Sequence, residues 1–279
     1  MACPADDPRV APTPPGRAGV VIAVKDLSRA KSRMTALSAA HRGRLAALMA
    51  VAVARAWSEV LDVVAVVTTA PGIGPLLGAH GVDVRVVPDP RSGLDAAFEA
   101  GERVLRAEGC ALVVAAMADL PALTAVDLRS TMAGCTGAGR WFVRDDMGTG
   151  TTLLAAHGMA LSPEFGRDSA ARHEASGAVE LAAAPGVRLD ADNPTDLVRA
   201  IPLGVQDPVT LLMDGAALAE HTTGTVVGRS GAGWELVLAS GSRGYAAAGA
   251  LGPELRRLAP GQRLHLVRDS GGAVRHAWI

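Results

Sequence analysis

The chain of 279 residues has no marked excess of either charge, few cysteines and no long apolar run. Its net charge of −1 provides no overall field to attract nucleic acid or a membrane surface. Cys3, Cys110 and Cys135 form no CxxC pair, which argues against a disulfide framework or zinc site and fits a reducing compartment. Apolar runs such as 111–118 are too short to span a bilayer, and the N-terminus lacks a signal-peptide core. We therefore expect a cytoplasmic, globular protein with no membrane partner.

Lysine is also scarce: of 27 lysines and arginines, only Lys25 and Lys31 are lysines, and they lie in one short stretch. Arginine-rich composition of this kind suits a GC-rich genome. Two lysines retained together indicate a site that needs a compact, flexible point charge, the part that lysine plays beside nucleotide phosphates. A solvated helix start is the alternative, since a lysine pair is a weak motif by itself.

Short β-branched runs alternate with helical patterns up to about residue 203. The pattern predicts strands at 19–24, 63–68, 83–87 and 111–117, and helices at 38–57 (with Ser38 as N-cap), 75–79, 93–108 and 125–132. Two strands read Val-Val-Ala-Val-Val and Leu-Val-Val-Ala-Ala without alternation, as expected for strands covered on both faces. The predicted fold is a three-layer α/β/α arrangement with a mostly parallel sheet.

The domain organisation follows from changes in composition. The proline-rich residues 1–18 predict a disordered leader, and 19–203 form the α/β domain. A linker with a helix is expected at 204–221, and short strands separated by Gly, Ser and Pro turns predict a small OB-like barrel at 222–279.

The barrel region carries seven arginines against three acids, together with Trp234, Tyr245 and Trp278. A cold-shock-like barrel could bind single-stranded nucleic acid on such a surface. Three aromatic residues are too few for both a core and a stacking platform, which favours a module that supports oligomerisation or a lid. The sequence leaves open whether the chain assembles into a homo-oligomer.

Ligands of open α/β sheets bind at the carboxyl ends of the strands, so the loops there are the candidate sites. The first holds Lys25, Lys31 and Arg33 and contains no glycine, so side chains must help to hold phosphates. The second leads through Gly93 to Asp95, where a glycine at a helix start allows close approach of a ring or phosphate, or simply makes a turn.

The third loop places Asp119 at the end of a buried strand, where a carboxylate suits Mg²⁺; a capping role before Pro121 is the alternative. In the fourth, 145–152, alternating glycines and threonines offer small donors for phosphate or carboxylate, or form a hairpin turn. Further along, Asp190 and Asp192 precede a helix that starts at a proline, and His173 is expected on a helix surface.

Together these segments resemble one family, the guanylyltransferases of deazaflavin (coenzyme F-420) biosynthesis, which make a GMP-linked phospholactate or phosphoenolpyruvate intermediate. The resemblance covers about residues 19–203. It rests on six segments in register: Val24-Lys25 to Lys31-Ser-Arg33, Pro88-Asp-Pro with Gly93-Leu, Ala118-Asp119-Leu-Pro121, Gly148-Thr-Gly-Thr151, Phe165-Gly166 with Ser169 and His173, and Leu189-Asp-Ala-Asp192 with Pro194 and Asp196-Leu197. The related molybdopterin and sugar-nucleotide transferases usually open with a glycine-rich loop, which is absent here. The resemblance implies the nucleotide-diphospho-sugar transferase fold.

The resemblance also implies residue roles. Lys25, Lys31 and Arg33 would neutralise the GTP triphosphate and, with Asp119, carry catalysis; Gly93 and Asp95 would contact the nucleotide. Asp119 with Asp190 or Asp192 would hold Mg²⁺, and Thr151, Gly166 and Ser169 would grip phosphoenolpyruvate or 2-phospho-L-lactate. Asp95 and Thr152 depart from the family, which more often has asparagine and another small polar residue there.

Two other function classes remain open at this point. A metal-dependent glycosyltransferase would use Asp190-Ala-Asp192 as its D-x-D motif, although that motif falls late in the domain. A non-catalytic nucleotide-sensing or RNA-binding protein would bind nucleotide without turnover. The choice among phosphoenolpyruvate, 2-phospholactate and 3-phosphoglycerate also stays open, because these acceptors differ only around one carbon.

Overall fold

The computed structural model describes residues 16–24, 27, 31, 33–34, 39–205, 221–251, 255, 258–268 and 273–278. The strands are β1 (Arg17–Val24), β2 (Val63–Thr68), β3 (Arg85–Pro88), β4 (Cys110–Ala116), β5 (Gly139–Arg144), β6 (Thr151–His157), β7 (Val179–Glu180), β8 (His221–Ser230), β9 (Gly233–Leu238), β10 (Arg243–Ala247), β11 (Arg263–Arg268) and β12 (Val274–Trp278). The α-helices are α1 (Ala39–Ser58), α2 (Ile73–Ala79), α3 (Leu94–Ala107), α4 (Ala125–Met132), α5 (Ser169–Ala175), α6 (Pro185–Arg188) and α7 (Pro194–Ala200).

Seven strands form the first sheet, in the order β3-β2-β1-β4-β6-β5-β7. Strand β1 is parallel to both of its neighbours, β2 and β4. The β2–β3 and β5–β7 pairs are also parallel, whereas β6 runs antiparallel to both β4 and β5. The predicted mostly parallel sheet is therefore confirmed. Residues 145–150 form the turn between β5 and β6, as the hairpin-turn alternative for 145–152 predicted, whereas the two strands themselves were not predicted.

Helices cover both faces of this sheet, which confirms the three-layer arrangement. On one face, side chains such as Ile22 and Val66 pack with Trp57 of α1. On the other face, Val21 and its neighbours pack with Phe98 and with further residues of α3 and α5. Helix α3 approaches β1 closely at Gly101, where any Cβ would overlap the Val21 side chain, so glycine is required there. Each β-strand residue at the sheet centre is thus buried whichever way it points, as the continuous apolar runs predicted.

Most predicted boundaries agree with the structure within two residues. Strand β1 begins at Arg17, so Arg17 and Ala18 of the predicted leader belong to the sheet, where Ala18 is buried. The predicted N-cap Ser38 and most of the predicted linker, residues 206–220, lie outside the described residues. Among the helices described, none has both the length and the apolar character needed to cross a membrane.

The C-terminal strands form a second, antiparallel sheet in the order β10-β9-β8-β11-β12. The short strands predicted for this region are thus present as five strands, around a core that includes Leu236 and Leu264. Continuous closure into a barrel is not seen within the described residues, where a single parallel bridge joins Leu251 to Ala277 of β12. Trp234 packs against this core, while Tyr245 is exposed.

Candidate active site

The loops predicted to carry the site lie at one edge of the first sheet. Strands β1, β2 and β4 are parallel, so the segments that follow Val24, Thr68 and Ala116 leave the sheet on the same side. Strand β6 runs in the opposite sense and begins at that same edge. The backbone N–H of Met117 donates to the carbonyl oxygen of Thr152 at 3.0 Å and fixes the start of β6 beside the end of β4.

Three carboxylates meet at this edge, from Asp119 after β4 and from Asp190 and Asp192 before α7. One oxygen from each lies within 4.8 Å of the others. The two segments are tied together because the N–H of Ala191 donates to the carbonyl oxygen of Asp119 at 2.9 Å. The predicted convergence of acids from two distant parts of the sequence is therefore present in the fold.

The start of α7 holds the second acidic segment in place. Asn193 is the N-cap residue, and its side-chain oxygen accepts from the N–H groups of Thr195 at 2.8 Å and Asp196 at 3.1 Å. The Asp196 carboxylate in return accepts from the N–H groups of Asn193 and Asp192. This capping box, followed by Pro194, fixes the backbone from which Asp192 projects.

The electrostatics of the three acids favour a bound cation. Burial first, and then the charges of Asp119 and Asp192, raise the pKa of Asp190 from 3.8 to about 7. Asp119 Oδ1 is buried and has no hydrogen-bond partner among the described residues. A buried carboxylate oxygen without a donor is costly, and a divalent cation would satisfy it. An all-oxygen donor set is what hard cations such as Mg²⁺ and Mn²⁺ prefer, so the residues fit such an ion.

Lys31 supplies positive charge at the same point. Its ammonium donates to Asp119 Oδ2 at 2.5 Å and to Asp192 Oδ1 at 3.1 Å, and its side chain is only 8 % exposed. Burial alone would lower the pKa of Lys31, but the two carboxylates outweigh it and raise the pKa above 10.5. The residue also has a left-handed backbone, with φ of 51°. The ammonium thus lies among the carboxylates that are candidates to hold a metal.

Arg33 extends this charge cluster to the surface. Its guanidinium donates to Asp192 Oδ2 at 3.1 Å while 73 % of the side chain is exposed. A cavity of about 180 Å³ lies beneath the cluster. Its polar lining comes from Lys31, Asp119 and Asp192, and its apolar lining from Val24, Leu27, Ala46, Met49, Met117 and Ala118. The first lysine of the predicted pair, Lys25, lies outside the described residues.

The glycine–threonine loop predicted at 145–152 is the hairpin that joins β5 to β6. The segment is therefore a turn, and it is also the candidate binding loop. Asp145 organises it: its Oδ1 accepts from the N–H of Thr149 at 2.9 Å, and its carbonyl oxygen accepts from Gly148 at 3.1 Å. A Cβ on Gly150 would overlap the Asp145 carboxylate. The hairpin also contacts the second acidic segment, because the N–H of Asp146 donates to the carbonyl oxygen of Arg188 at 2.9 Å, two residues before Asp190.

A buried network of side chains begins at the first residue of β6. Thr151 Oγ1 lies 2.9 Å from His173 Nδ1 and accepts from Ser169 Oγ at 3.1 Å. The expectation of His173 on a helix surface is wrong, because its side chain is fully buried between the rings of Phe142 and Phe165. Helix α5 has only seven residues, about two turns, which is too short for the sequence pattern to show which face is buried.

The predicted nucleotide-binding residues lie at the start of α3. Gly93 has φ of 103° and ψ of 179°, a conformation that favours glycine, and a Cβ there would meet open space. Asp95 Oδ1 accepts from the N–H of Phe165 at 2.8 Å. Asp95 therefore links α3 to the loop that carries Gly166, whose carbonyl oxygen accepts from the N–H of Ser169 at 3.2 Å.

The structure thus brings the predicted residues into two groups. The first group comprises Lys31, Arg33, Asp119, Asp190 and Asp192. The second is a chain of contacts that runs from Asp95 through Gly166 and Ser169 to Thr151. Sequence reasoning missed His173 as a site component and Asp145 as the organiser of the hairpin.

This combination of fold and site is that of a nucleotidyltransferase. The fold is shared with a structure assigned to the nucleotide-diphospho-sugar transferases of Desulfovibrio desulfuricans G20, with a TM-score of 0.56 and 11 % identity over 71 % of this chain and 96 % of that one. No family model matches the chain.

Curated relatives identify the family more narrowly. The phosphoenolpyruvate guanylyltransferase of Mycolicibacterium gilvum is 42 % identical over 194 residues, which cover 67 % of this chain and 90 % of the relative. The enzyme of the same name from Geodermatophilus obscurus is 43 % identical over 208 residues, covering 71 % and 94 %. The chain therefore belongs to the phosphoenolpyruvate guanylyltransferase family, and it is a nucleotidyltransferase.

Proposed function

We propose that this enzyme transfers GMP from GTP to phosphoenolpyruvate or 2-phospho-L-lactate, releases pyrophosphate, and serves coenzyme F-420 biosynthesis. The observation that carries the proposal is the ammonium of Lys31 held between Asp119 and Asp192 at the carboxyl edge of the sheet. The names of the curated relatives support guanylyl transfer and favour phosphoenolpyruvate as the acceptor.

The reaction is an in-line displacement. A phosphate oxygen of the acceptor forms a bond to the α-phosphorus of GTP, and the bond from that phosphorus to the bridging oxygen of the β-phosphate breaks. Pyrophosphate leaves with the bonding electrons. The attacking phosphate is already anionic, so no general base is needed, and catalysis consists of positioning and charge neutralisation.

Neutralisation is the main task because two anions must meet. At an effective dielectric near 20, unit charges about 4 Å apart repel by about 4 kcal/mol. We assign Lys31 and Arg33, together with Lys25, to the triphosphate, since a flexible ammonium and a guanidinium can follow the moving negative charge. Gly93 and Asp95 would contact the nucleotide, and Thr151, Gly166 and Ser169 the acceptor.

The acids Asp119, Asp190 and Asp192 would hold Mg²⁺. When bound, the ion would supply Lewis-acid neutralisation of phosphate oxygens. The residues themselves prepare this site: the capping box orients Asp192, and the backbone bond from Ala191 holds Asp119 beside it. Lys31 must leave at least one of its two carboxylate contacts when a cation and a triphosphate enter.

Pyrophosphate release from each nucleoside triphosphate, paired with phosphoenolpyruvate, 2-phospho-L-lactate or 3-phosphoglycerate, tests the proposal. We expect release with GTP and phosphoenolpyruvate or 2-phospho-L-lactate, dependent on Mg²⁺. Release that needs no acceptor, or nucleotide binding without turnover, would contradict it. Hydrolysis of a sugar nucleotide instead would favour the glycosyltransferase interpretation.

A further inference from the structure

The geometry around β6 points to His173 as a positioning residue that fixes Thr151 as a hydrogen-bond donor toward an oxyanion of the acceptor substrate. This inference rests on the proposed function and deepens it. It assigns a role to a histidine that touches neither the acidic cluster nor, in the described residues, the cavity below it.

The backbone fixes the tautomer of His173. The N–H of Glu164 donates to His173 Nε2 at 3.0 Å, so Nε2 must carry a lone pair. The ring proton then lies on Nδ1, which is 2.9 Å from Thr151 Oγ1. The imidazole therefore donates to the threonine hydroxyl and cannot accept from it.

The surroundings keep the imidazole neutral and fixed in orientation. Its side chain is fully buried, in edge contact with the Phe165 ring at a centroid distance of 5.2 Å and beside the tilted ring of Phe142 at 6.1 Å. Burial first, and then the charges of Arg172 and Arg140, lower the pKa of His173 to about 4. At neutral pH the ring has one donor and one acceptor, and both are used.

Within the part of the chain that the structure describes, Thr151 has one hydrogen-bonding function without a partner. Its oxygen accepts from His173 Nδ1 and from Ser169 Oγ, which occupies both lone pairs. Only its proton remains, on a residue that is 6 % exposed beside Ser169, which is 1 % exposed. A buried hydroxyl restricted to donating selects an acceptor atom, and an anionic phosphate or carboxylate oxygen is the strongest one available.

The backbone next to Thr151 contains a β-bulge that affects the direction of its side chain. The β5–β6 pairing shifts register so that Val143 pairs with Leu153 but Arg144 pairs with Thr151. Thr152 is the extra residue of this bulge, and no described residue forms a hydrogen bond with its buried hydroxyl. Bulges next to active sites re-aim side chains, and here two hydroxyls are present at the start of β6, beside the loop that carries Asp119.

The variants His173→Asn and His173→Phe test the role. The asparagine amide can replace the Nδ1 donor, whereas phenylalanine fills the space without it. We expect His173→Phe to raise KM for phosphoenolpyruvate about tenfold, with KM for GTP unchanged, because one hydrogen bond to a charged group is misdirected. His173→Asn should restore most of the loss, and the exposed His80→Phe serves as a matched control.

A double-mutant cycle with Thr151→Val separates positioning from general packing. If His173 acts through Thr151, adding His173→Phe to Thr151→Val raises KM for the acceptor no further. Equal increases in both KM values, additive effects and no rescue by asparagine would overturn the inference. Thermal unfolding of each variant identifies any that fail to fold.

The tautomer can be measured without substrate, which separates this inference from the proposed function. In ¹⁵N-histidine-labelled wild-type protein at pH 7, we expect His173 as the neutral Nδ1–H form. An Nε2–H form or an imidazolium would overturn the inference even in an active enzyme. Absence of pyrophosphate release with every acceptor would instead refute the proposed function.

Discussion

Replacement of Lys31 by methionine should change metal binding and turnover in opposite directions. In the wild-type protein the ammonium occupies Asp119 Oδ2 and Asp192 Oδ1, so a cation entering without nucleotide must compete with it. Methionine has a similar length and no charge. In the variant, Asp119 Oδ2 and Asp192 Oδ1 are therefore released from the ammonium, while Arg33 still contacts Asp192 Oδ2.

The magnitude follows from the two contacts. Two unit charges about 4 Å apart attract by about 4 kcal/mol at an effective dielectric near 20, and these two pairs are closer than that. The Asp192 side chain is 46 % exposed, so solvent screens its contact and most of the competition comes from Asp119. After the remaining desolvation costs, we expect a net gain of about 1.4 kcal/mol, which is a tenfold lower Kd for Mn²⁺. Turnover should fall about 100-fold, because a donor to the transferring phosphates is lost.

Titration of Mn²⁺ by calorimetry, in the absence of nucleotide, measures the effect. Lys31→Arg retains the charge and should bind Mn²⁺ as the wild-type protein does. Arg33→Met should have a smaller effect than Lys31→Met, since its side chain is largely exposed. If Lys31→Met binds Mn²⁺ no more tightly than the wild-type protein, the competition between ammonium and metal is refuted.

Three further changes probe other parts of the site. Asp119→Ala should abolish metal-dependent transfer without unfolding the protein, and retained pyrophosphate release would remove Asp119 from the site. Gly150→Ala should lower the free energy of unfolding by about 1–3 kcal/mol in urea titrations, because its Cβ overlaps the Asp145 carboxylate. Since burial raises the folded pKa of Asp190 to about 7, metal-free stability should fall as pH rises from about 4 to about 7. Asp190→Asn should reduce this fall without removing it, because burial also raises the pKa of Asp196; an identical pH profile in both proteins would contradict the assignment.

Much of the fold could be predicted because the sequence signals were local. Continuous apolar runs such as Val63–Thr68 indicate strands buried on both faces, and the structure buries all six residues. The antiparallel insertion of β6 was not predictable in this way, because its position beside β4 depends on contacts between segments distant in the sequence. The same limit applies to the end of the leader, where Arg17 and Ala18 join the sheet by pairing with β4.

The candidate site was predictable where strand ends carry unusual residues. Lys31 and Asp119 stood out as a rare lysine and a strand-end acid, and the fold places them 2.5 Å apart. His173 did not stand out, because its burial results from Phe142 and Phe165 packing around it. The raised pKa of Asp190 was also beyond the sequence, since it depends on burial and on charges from other segments.

A ³¹P NMR spectrum of the wild-type enzyme with GTP, phosphoenolpyruvate and Mg²⁺ bears most directly on guanylyl transfer at this cluster. We expect a pair of mutually coupled diphosphate resonances from the GMP-linked product, together with an equal amount of pyrophosphate. Asp119→Ala should give neither signal, and Lys31→Met should form both products about 100-fold more slowly at the same protein concentration. Unchanged GTP in the wild-type sample, or GMP and pyrophosphate without the coupled pair, would contradict the account.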